Sequence, residues 1–263
     1  MTEEKLQTYI SELFGSLKQD QWQEHDTGFF ISSPHECEYL KNTKAIILFA
    51  DPMTTMYPFL YRLLLNKGFR RSGEFVYRPH CPSCNRCIPV RVPVAAFRMS
   101  RNMKRVWKRN TDLEVNVMPP LYRDDHYQLY LTYVQNRHKG GSMENTDPED
   151  FPGFLKSSWI KTIFYEFRLA GKLLMVVVVD HIPKELSAVY TFFDPKEHAR
   201  SLGTFGVLWT IDQARHLEKR WLYLGYWVSG CRKMSYKSRF RPMEAFKKGQ
   251  WGPLINNREN YAD

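Results

Sequence analysis

Apolar residues along the chain repeat with two periods, and the changes between them mark out its elements. From Phe29 to about Pro93 the apolar runs are short. The stretch AIILFA predicts a strand, and Asp51-Pro52 predicts the start of a helix through MYPFLYRLLLNKG that ends at Gly68. FRRSGEFVYRPH then contains a short strand of alternating faces that runs into a group of cysteines. MSRNMKRVWKRNTDL, residues 99 to 113, has helical spacing, and DDHYQLYLTYVQNRHKG predicts an amphipathic helix. A polar Gly/Asp/Pro loop, GGSMENTDPEDFPG, follows it. IFYEFRLAGKLLMVVVVDHIPKELSAVYTFFDP predicts three antiparallel strands, turning at Ala170-Gly171 and around Pro183. SLGTFGVLWTIDQARHLEKR predicts a helix, WLYLGYWV a strand, and KMSYKSRFRP a short basic segment ended by Pro242. No internal repeat or low-complexity tract interrupts this order.

Helix, three-strand meander, helix and strand is the order of an N-acetyltransferase-type acyltransferase. The expected fold is therefore α+β: a small cysteine-containing N-terminal domain over residues 1–98 and a GNAT-like mixed-sheet domain over residues 99–263. In that architecture the strand before the central helix splays from its neighbour, and the helix N-terminus, with its free N–H groups, favours an anionic donor. RSLGTFG, residues 200 to 206, occupies this turn. Arg200 and Gly203 fit the pattern of a coenzyme A site, but Phe205 stands where a second small residue belongs and would crowd a pyrophosphate.

At 263 residues, 43% hydrophobic and 25% charged, the chain has the composition of a folded globular protein rather than a disordered one. Lys and Arg outnumber Asp and Glu by 38 to 28, a net charge of +10 that suits a polyanionic partner or an acidic substrate. Within residues 99 to 113, Arg101, Lys104, Arg105 and Lys108 make a cationic helix face, which is either solvated or contacts phosphates. The first ten residues lack a secretory pattern, and LLMVVVV is far shorter than a membrane span, so a cytoplasmic location with no membrane partner is expected. Five cysteines in a reducing compartment suggest metal or catalysis more than disulfides. Cys81, Cys84 and Cys87 with Cys37 could hold zinc or an iron–sulfur cluster, with His35 and His80 spare, or could be reduced thiols packing a pocket.

RRSGEFVYRPHCPSCNRCIPVRV, FFDPKEHARSLG and LGYWVSGCRKMSYKSRFRP together resemble the aminoacyl-tRNA–protein transferases of the N-degron pathway. The resemblance is to the bacterial aspartate/glutamate leucyltransferases, relatives of eukaryotic arginyltransferase, and runs from Phe29 to about Pro253. It implies transfer of leucine from Leu-tRNA to the α-amine of proteins beginning with Asp or Glu, with no cofactor required. Two anionic substrates would account for the positive charge, and a tRNA 3′ end in place of coenzyme A would account for Phe205.

Under that reading Asp194, at the end of YTFFDP, is the expected general base or amine anchor, with Tyr190 orienting the donor carbonyl. Asp-Pro is also a common strand terminator. Arg78, Arg91, Arg232 and Lys233 are candidates for reading the acidic N-terminus, because a guanidinium matches a carboxylate bidentately. Tyr236, Lys237 and Arg239 suit stacking and phosphate contact at a tRNA acceptor end. Cys37 resembles the Cys-x-Tyr motif of the arginyltransferase N-terminal domain, although one cysteine stands here where the family has two. The competing readings are arginyl transfer, coenzyme A-dependent N-acetylation, and a non-catalytic, metal-stapled RNA-binding protein.

Overall fold

The computed structural model describes residues 28–137, 146–231 and 233–254. Its first strands are β1 (Phe29–Ile31), β2 (His35–Glu36), β3 (Lys44–Ala45) and β4 (Ile47–Ala50). They are followed by helix α1 (Pro58–Asn66), β5 (Arg70–Ser72) and β6 (Phe75–Pro79). Four of these strands form a sheet in the order β1-β4-β6-β5, and β2 pairs with β3. The helix begins at Pro58, not at Pro52. Asp51 uses its carboxylate to accept the Met53 N–H at 2.8 Å, and this turn holds residues 51–57 out of the helix until the second proline starts it. Gly68 ends it at φ +82°, and a Cβ there would stand 2.9 Å from the Pro89 side chain, so only glycine lets the turn sit against the next strand.

That strand is β7 (Cys87–Pro93), followed by α2 (Arg101–Arg109), β8 (Glu114–Met118), α3 (Asp124–Arg137) and the one-turn α4 (Phe151–Leu155). The meander is β9 (Lys161–Leu169), β10 (Lys172–His181) and β11 (Glu185–Phe193), then come α5 (Leu202–His216) and β12 (Trp221–Val228). A 3-10 turn over Ser235–Arg239 leads to the hairpin β13 (Glu244–Lys247) and β14 (Gln250–Pro253). The large sheet has the order β14-β13-β7-β12-β11-β10-β9-β8. β7, which lies before residue 98 and within the expected N-terminal domain, is hydrogen-bonded here between β12 and β13.

The polar loop before the meander gains α4 because Phe151 and Leu155 bury themselves one helical turn apart. The apolar run of β10 is buried along its length because both faces of the sheet are covered. On one face Met103 of α2 and Leu208 and Ile211 of α5 pack over Val177 and Val179. On the other, Tyr130 of α3 and Phe151 of α4 pack over Val176, Val178 and Phe192. Among the described residues no helix is long and apolar enough to cross a membrane.

The small sheet is pinned to the large one by a buried arginine. Arg71 donates from Nε to Asp180 Oδ2 at 2.6 Å and from Nη2 to the Leu155 carbonyl at 2.9 Å and Thr162 Oγ1 at 3.0 Å. Tyr61 Oη donates to the same aspartate at 3.3 Å. Arg71 and Asp180 are 1% and 0% exposed, so this ion pair is sealed from water.

Candidate functional site

The expected splay lies between β11 and β12. These strands run parallel and pair only over Glu185 to Ser187 against Trp221 to Tyr223. Beyond that point neither strand pairs with the other. Val189 of β11 is skipped in the register with β10, where Val178 pairs with Tyr190 and Val179 with Ala188. On the other side the β12 to β7 register shifts between Tyr223 and Tyr226, around Gly225 at φ +69°. A bulge on each strand opens the gap, and a strand break of this kind re-aims nearby groups.

The side chain in this gap is Arg70. Strand alternation turns it away from Arg71, so one arginine of the pair enters the core and the other enters the splay. Its Nη2 donates to the Val189 carbonyl at 3.3 Å, and a Cβ on Gly225 would stand 3.3 Å from its Nη1. The Tyr77 ring lies 6.0 Å from its guanidinium carbon. The phenols of Tyr77, Tyr39, Tyr226 and Tyr61 outweigh the effect of burial and hold the guanidinium above the usual arginine pKa. Sequence reasoning passed over Arg70, although two adjacent arginines on a predicted strand must face opposite sides and cannot both lie on one solvated face.

Tyr190 and Tyr236 border the same gap, each within electrostatic range of Arg70. Burial pushes Tyr236 up to about 12 and raises Tyr190 further, so both phenols stay protonated as donors. Lys237 is not the exposed phosphate contact that its sequence context suggested. Its ammonium is buried and donates to the Tyr226 carbonyl at 2.6 Å. Burial, and then the charge of Arg70, lower its pKa to about 7.

Asp194 follows the last residue of β11, past the end of the pairing with β12. Its Oδ2 accepts from Lys172 Nζ and its Oδ1 from the Lys196 N–H, at 2.8 and 2.9 Å. Burial raises its pKa, but the Lys172 bond and the Lys196 N–H outweigh this and hold it below the usual carboxylate range.

Arg91 cannot read a substrate carboxylate. It donates to Glu244 Oε2 at 2.9 Å and to Asn66 Oδ1 and Tyr223 Oη at 3.1 Å each. It is also sandwiched between the Trp221 and Trp251 rings at 3.9 and 4.2 Å. Arg78 donates to the Lys67 carbonyl at 3.2 Å and stacks 5.3 Å over Phe69, tying β6 to the end of α1. Lys233 is exposed, and Arg232 lies outside the described residues.

The cationic face on α2 is formed as expected. Ser100 caps the helix by accepting the Met103 N–H at 3.3 Å, and Arg101, Lys104, Arg105 and Lys108 are all exposed. Trp107 packs 5.6 Å from Phe205, fixing this face against α5. Arg200 is held by Asp112 at 2.9 Å, so the turn before α5 uses its arginine internally and Phe205 fills the core. Arg239 is exposed on the 3-10 turn.

The cysteines converge, and the group includes Cys231, which lies far along the chain from the C-x-x-C-x-x-C run. Burial first, then the thiols of Cys37, Cys81, Cys84 and Cys231, push Cys87 up to about 12. Cys81 Sγ receives the Ile46 N–H at 3.5 Å. Among the described residues no group of three or more His, Cys, Asp or Glu is placed to hold a metal ion. Cys87 and Cys231 pack against Tyr226 and Val228.

Two family profiles match the chain. The N-terminal part of arginine-tRNA-protein transferase matches residues 35–105 and its C-terminal part residues 125–247. The aspartate/glutamate leucyltransferase of Alcanivorax borkumensis is 47% identical over 223 residues, covering 85% of this chain and 92% of its own. That of Stutzerimonas stutzeri is 46% identical over 226 residues, covering 86% and 96%. Among solved structures, FemX aligns with a TM-score of 0.48 at 8% identity, covering 76% of this chain and 69% of its own. The L-PGS of Bacillus licheniformis aligns at 0.43 and 12%, covering 86% and 76%.

Proposed function

This chain belongs to the aminoacyl-tRNA–protein transferase family, and from that premise we infer its reaction: it transfers leucine from Leu-tRNA to the α-amino group of proteins that begin with Asp or Glu. The observation that carries the choice of substrates is 46–47% identity to aspartate/glutamate leucyltransferases over 85–86% of the chain. Transfer of this kind belongs in the cytoplasm, where charged tRNA is made.

The chemistry asks little of the protein in covalent terms. The acceptor amine attacks the ester carbonyl, the C–N bond forms, the ester C–O bond breaks, and the amine proton ends on the ribose hydroxyl. An α-amine with a pKa of about 7.7 to 8.0 is partly neutral at working pH, so positioning and oxyanion stabilisation dominate. The phenols of Tyr190 and Tyr236, protonated in the gap, are suited to donating to the carbonyl oxygen as it becomes an oxyanion. A carboxylate held below its ordinary range accepts a proton poorly, which favours Asp194 as an anchor for the incoming ammonium over a role as general base. The exposed cations of α2 supply a surface for tRNA phosphates.

The test offers Leu-tRNA, Arg-tRNA and acetyl-CoA with peptides that start in Asp, Glu, Arg or Lys, and weighs the products by mass spectrometry. Leucine is expected on the Asp and Glu peptides alone. Arginine in its place would support the donor named in the family profiles, and no product with any donor would overturn catalysis altogether.

A further inference from the structure

We propose that Arg70 is the specificity-determining residue that reads the side-chain carboxylate of the acceptor's first residue. This rests on the leucyl-transfer reading and adds the atom group by which an acidic N-terminus is told from a neutral one.

The argument begins with charge balance. Three other arginines that enter the interior meet a carboxylate: Arg71 meets Asp180, Arg62 meets Glu185, and Arg91 meets Glu244, while Arg78 donates to the Lys67 carbonyl at the end of α1. Among the described residues no carboxylate lies within 4.0 Å of Arg70. Its one hydrogen bond there goes to the Val189 carbonyl, and the Tyr77 ring lies 6.0 Å from its guanidinium carbon. Nearby, Lys237 brings a second buried cation without an acid. Burial and then Arg70 disfavour the charged form of Lys237, and like charges brought together out of water cost stability unless an anion arrives between or beside them.

The position of the guanidinium suits a small planar anion. It sits between two strands that have parted, with its Nη1 edge toward Gly225 and its Nη2 edge toward Val189. With no side chain on Gly225, the Nη1 edge is not walled off by a Cβ 3.3 Å away. A carboxylate can engage the fork bidentately, and phenols such as those of Tyr39 and Tyr77, both half-buried, can donate to its remaining lone pairs. A tRNA phosphate is a poorer occupant. It carries ribose on both sides and needs an open groove, and the chain displays its phosphate-type cations on the exposed face of α2 instead.

The experiment compares wild type with Arg70→Gln and Arg70→Lys on peptides beginning with Asp, Glu, Asn and Gln. It measures kcat/KM for each peptide, KM for Leu-tRNA, and peptide binding without tRNA by calorimetry. Arg70→Gln is expected to lower kcat/KM for the Asp and Glu peptides about 100-fold through loss of a charged bidentate pair, and to leave the Asn and Gln peptides and the Leu-tRNA KM within about threefold. Arg70→Lys, which keeps the charge without the fork, is expected to restore part of the preference for acid over amide. If Arg70→Gln unfolds, Arg70→Lys alone decides, by whether its preference for Asp over Asn falls. Three results would overturn the assignment: preference kept in both variants, equal losses for acid and amide peptides, or a loss confined to the Leu-tRNA KM. Failure of the underlying function is visible separately, as wild type that transfers no leucine to Asp or Glu.

Discussion

Replacing Arg71 by Met should destabilise the whole molecule, because it strips a partner from a carboxylate that water cannot reach. Asp180 is 0% exposed and receives two of the arginine's N–H groups, while Thr162 and Tyr61 supply only neutral donors. Breaking a buried pair on one side costs about 3 to 5 kcal/mol, chiefly the uncompensated charge left behind. For a chain of this size that is a fall in Tm of roughly 10 °C. Asp180→Leu should cost a similar amount by stranding the guanidinium. The double variant Arg71→Met/Asp180→Leu should be more stable than either single change, since neither charge remains. Its recovery stays incomplete because the Leu155 and Gly73 carbonyls lose their donor. Urea unfolding of the four proteins gives the cycle directly. An interaction energy near zero, or single variants within about 1 kcal/mol of wild type, would refute the reasoning. The pair also matters to the site, because anchoring Arg71 is what turns Arg70 toward the gap.

Asp194→Asn retains an acceptor for the Lys196 N–H, so its unfolding midpoint should stay near that of wild type, while leucine transfer falls at least about tenfold with loss of the anchoring charge. Transfer at the wild-type rate by the folded variant would remove Asp194 from the site. Neutralising Lys104 and Lys108 should reduce the slope of log K against log salt for tRNA binding by about 0.7 to 0.9 per cation, and an unchanged slope would place the tRNA elsewhere. Lys237 should leave a signature in stability against pH. Burial, assisted by Arg70, lowers its pKa from 10.5 to about 7, so between those values the unfolded chain binds a proton that the folded chain has released. The penalty for the buried charge is full below pH 7 and fades as pH rises through this window. Wild type should therefore gain on Lys237→Met between pH 7 and pH 10, and a constant difference would contradict the burial of the ammonium.

The meander and α5 were legible because periodicity reports directly on which residues are buried. β10 is apolar from Leu173 to Val179 because both its faces are covered, and α3 shows its stripe because one of its faces is covered. The cationic face of α2 was legible for the same reason, since helical spacing alone groups its charges. What sequence could not tell was which cations have partners. Arg91 looked available because Glu244, which occupies it, lies far along the chain and is paired to it only through the β7 and β13 register. Arg70 looked ordinary because the property that sets it apart is a carboxylate that is missing in space. Lys237 looked exposed because its neighbours are basic, yet the 3-10 turn folds it onto the Tyr226 carbonyl. Cys231 looked separate because 143 positions lie between it and Cys87, and the sheet closes that distance.

The place of β7 in the large sheet has a consequence for how the molecule is made. It pairs on one side with β12, Val92 against Leu222, and on the other with β13, Val90 against Ala245. Both partners are synthesised roughly 130 residues or more after it. While the ribosome builds the following residues, Val90, Val92 and Val94 have none of the strands that will cover their edges, and the sheet cannot close until β12 and β13 emerge. Pairing over such separations is slow and leaves unpaired edges open to aggregation. Truncation just before β13 should thus yield little usable protein in a growing cell, even though every residue proposed for the site would still be encoded.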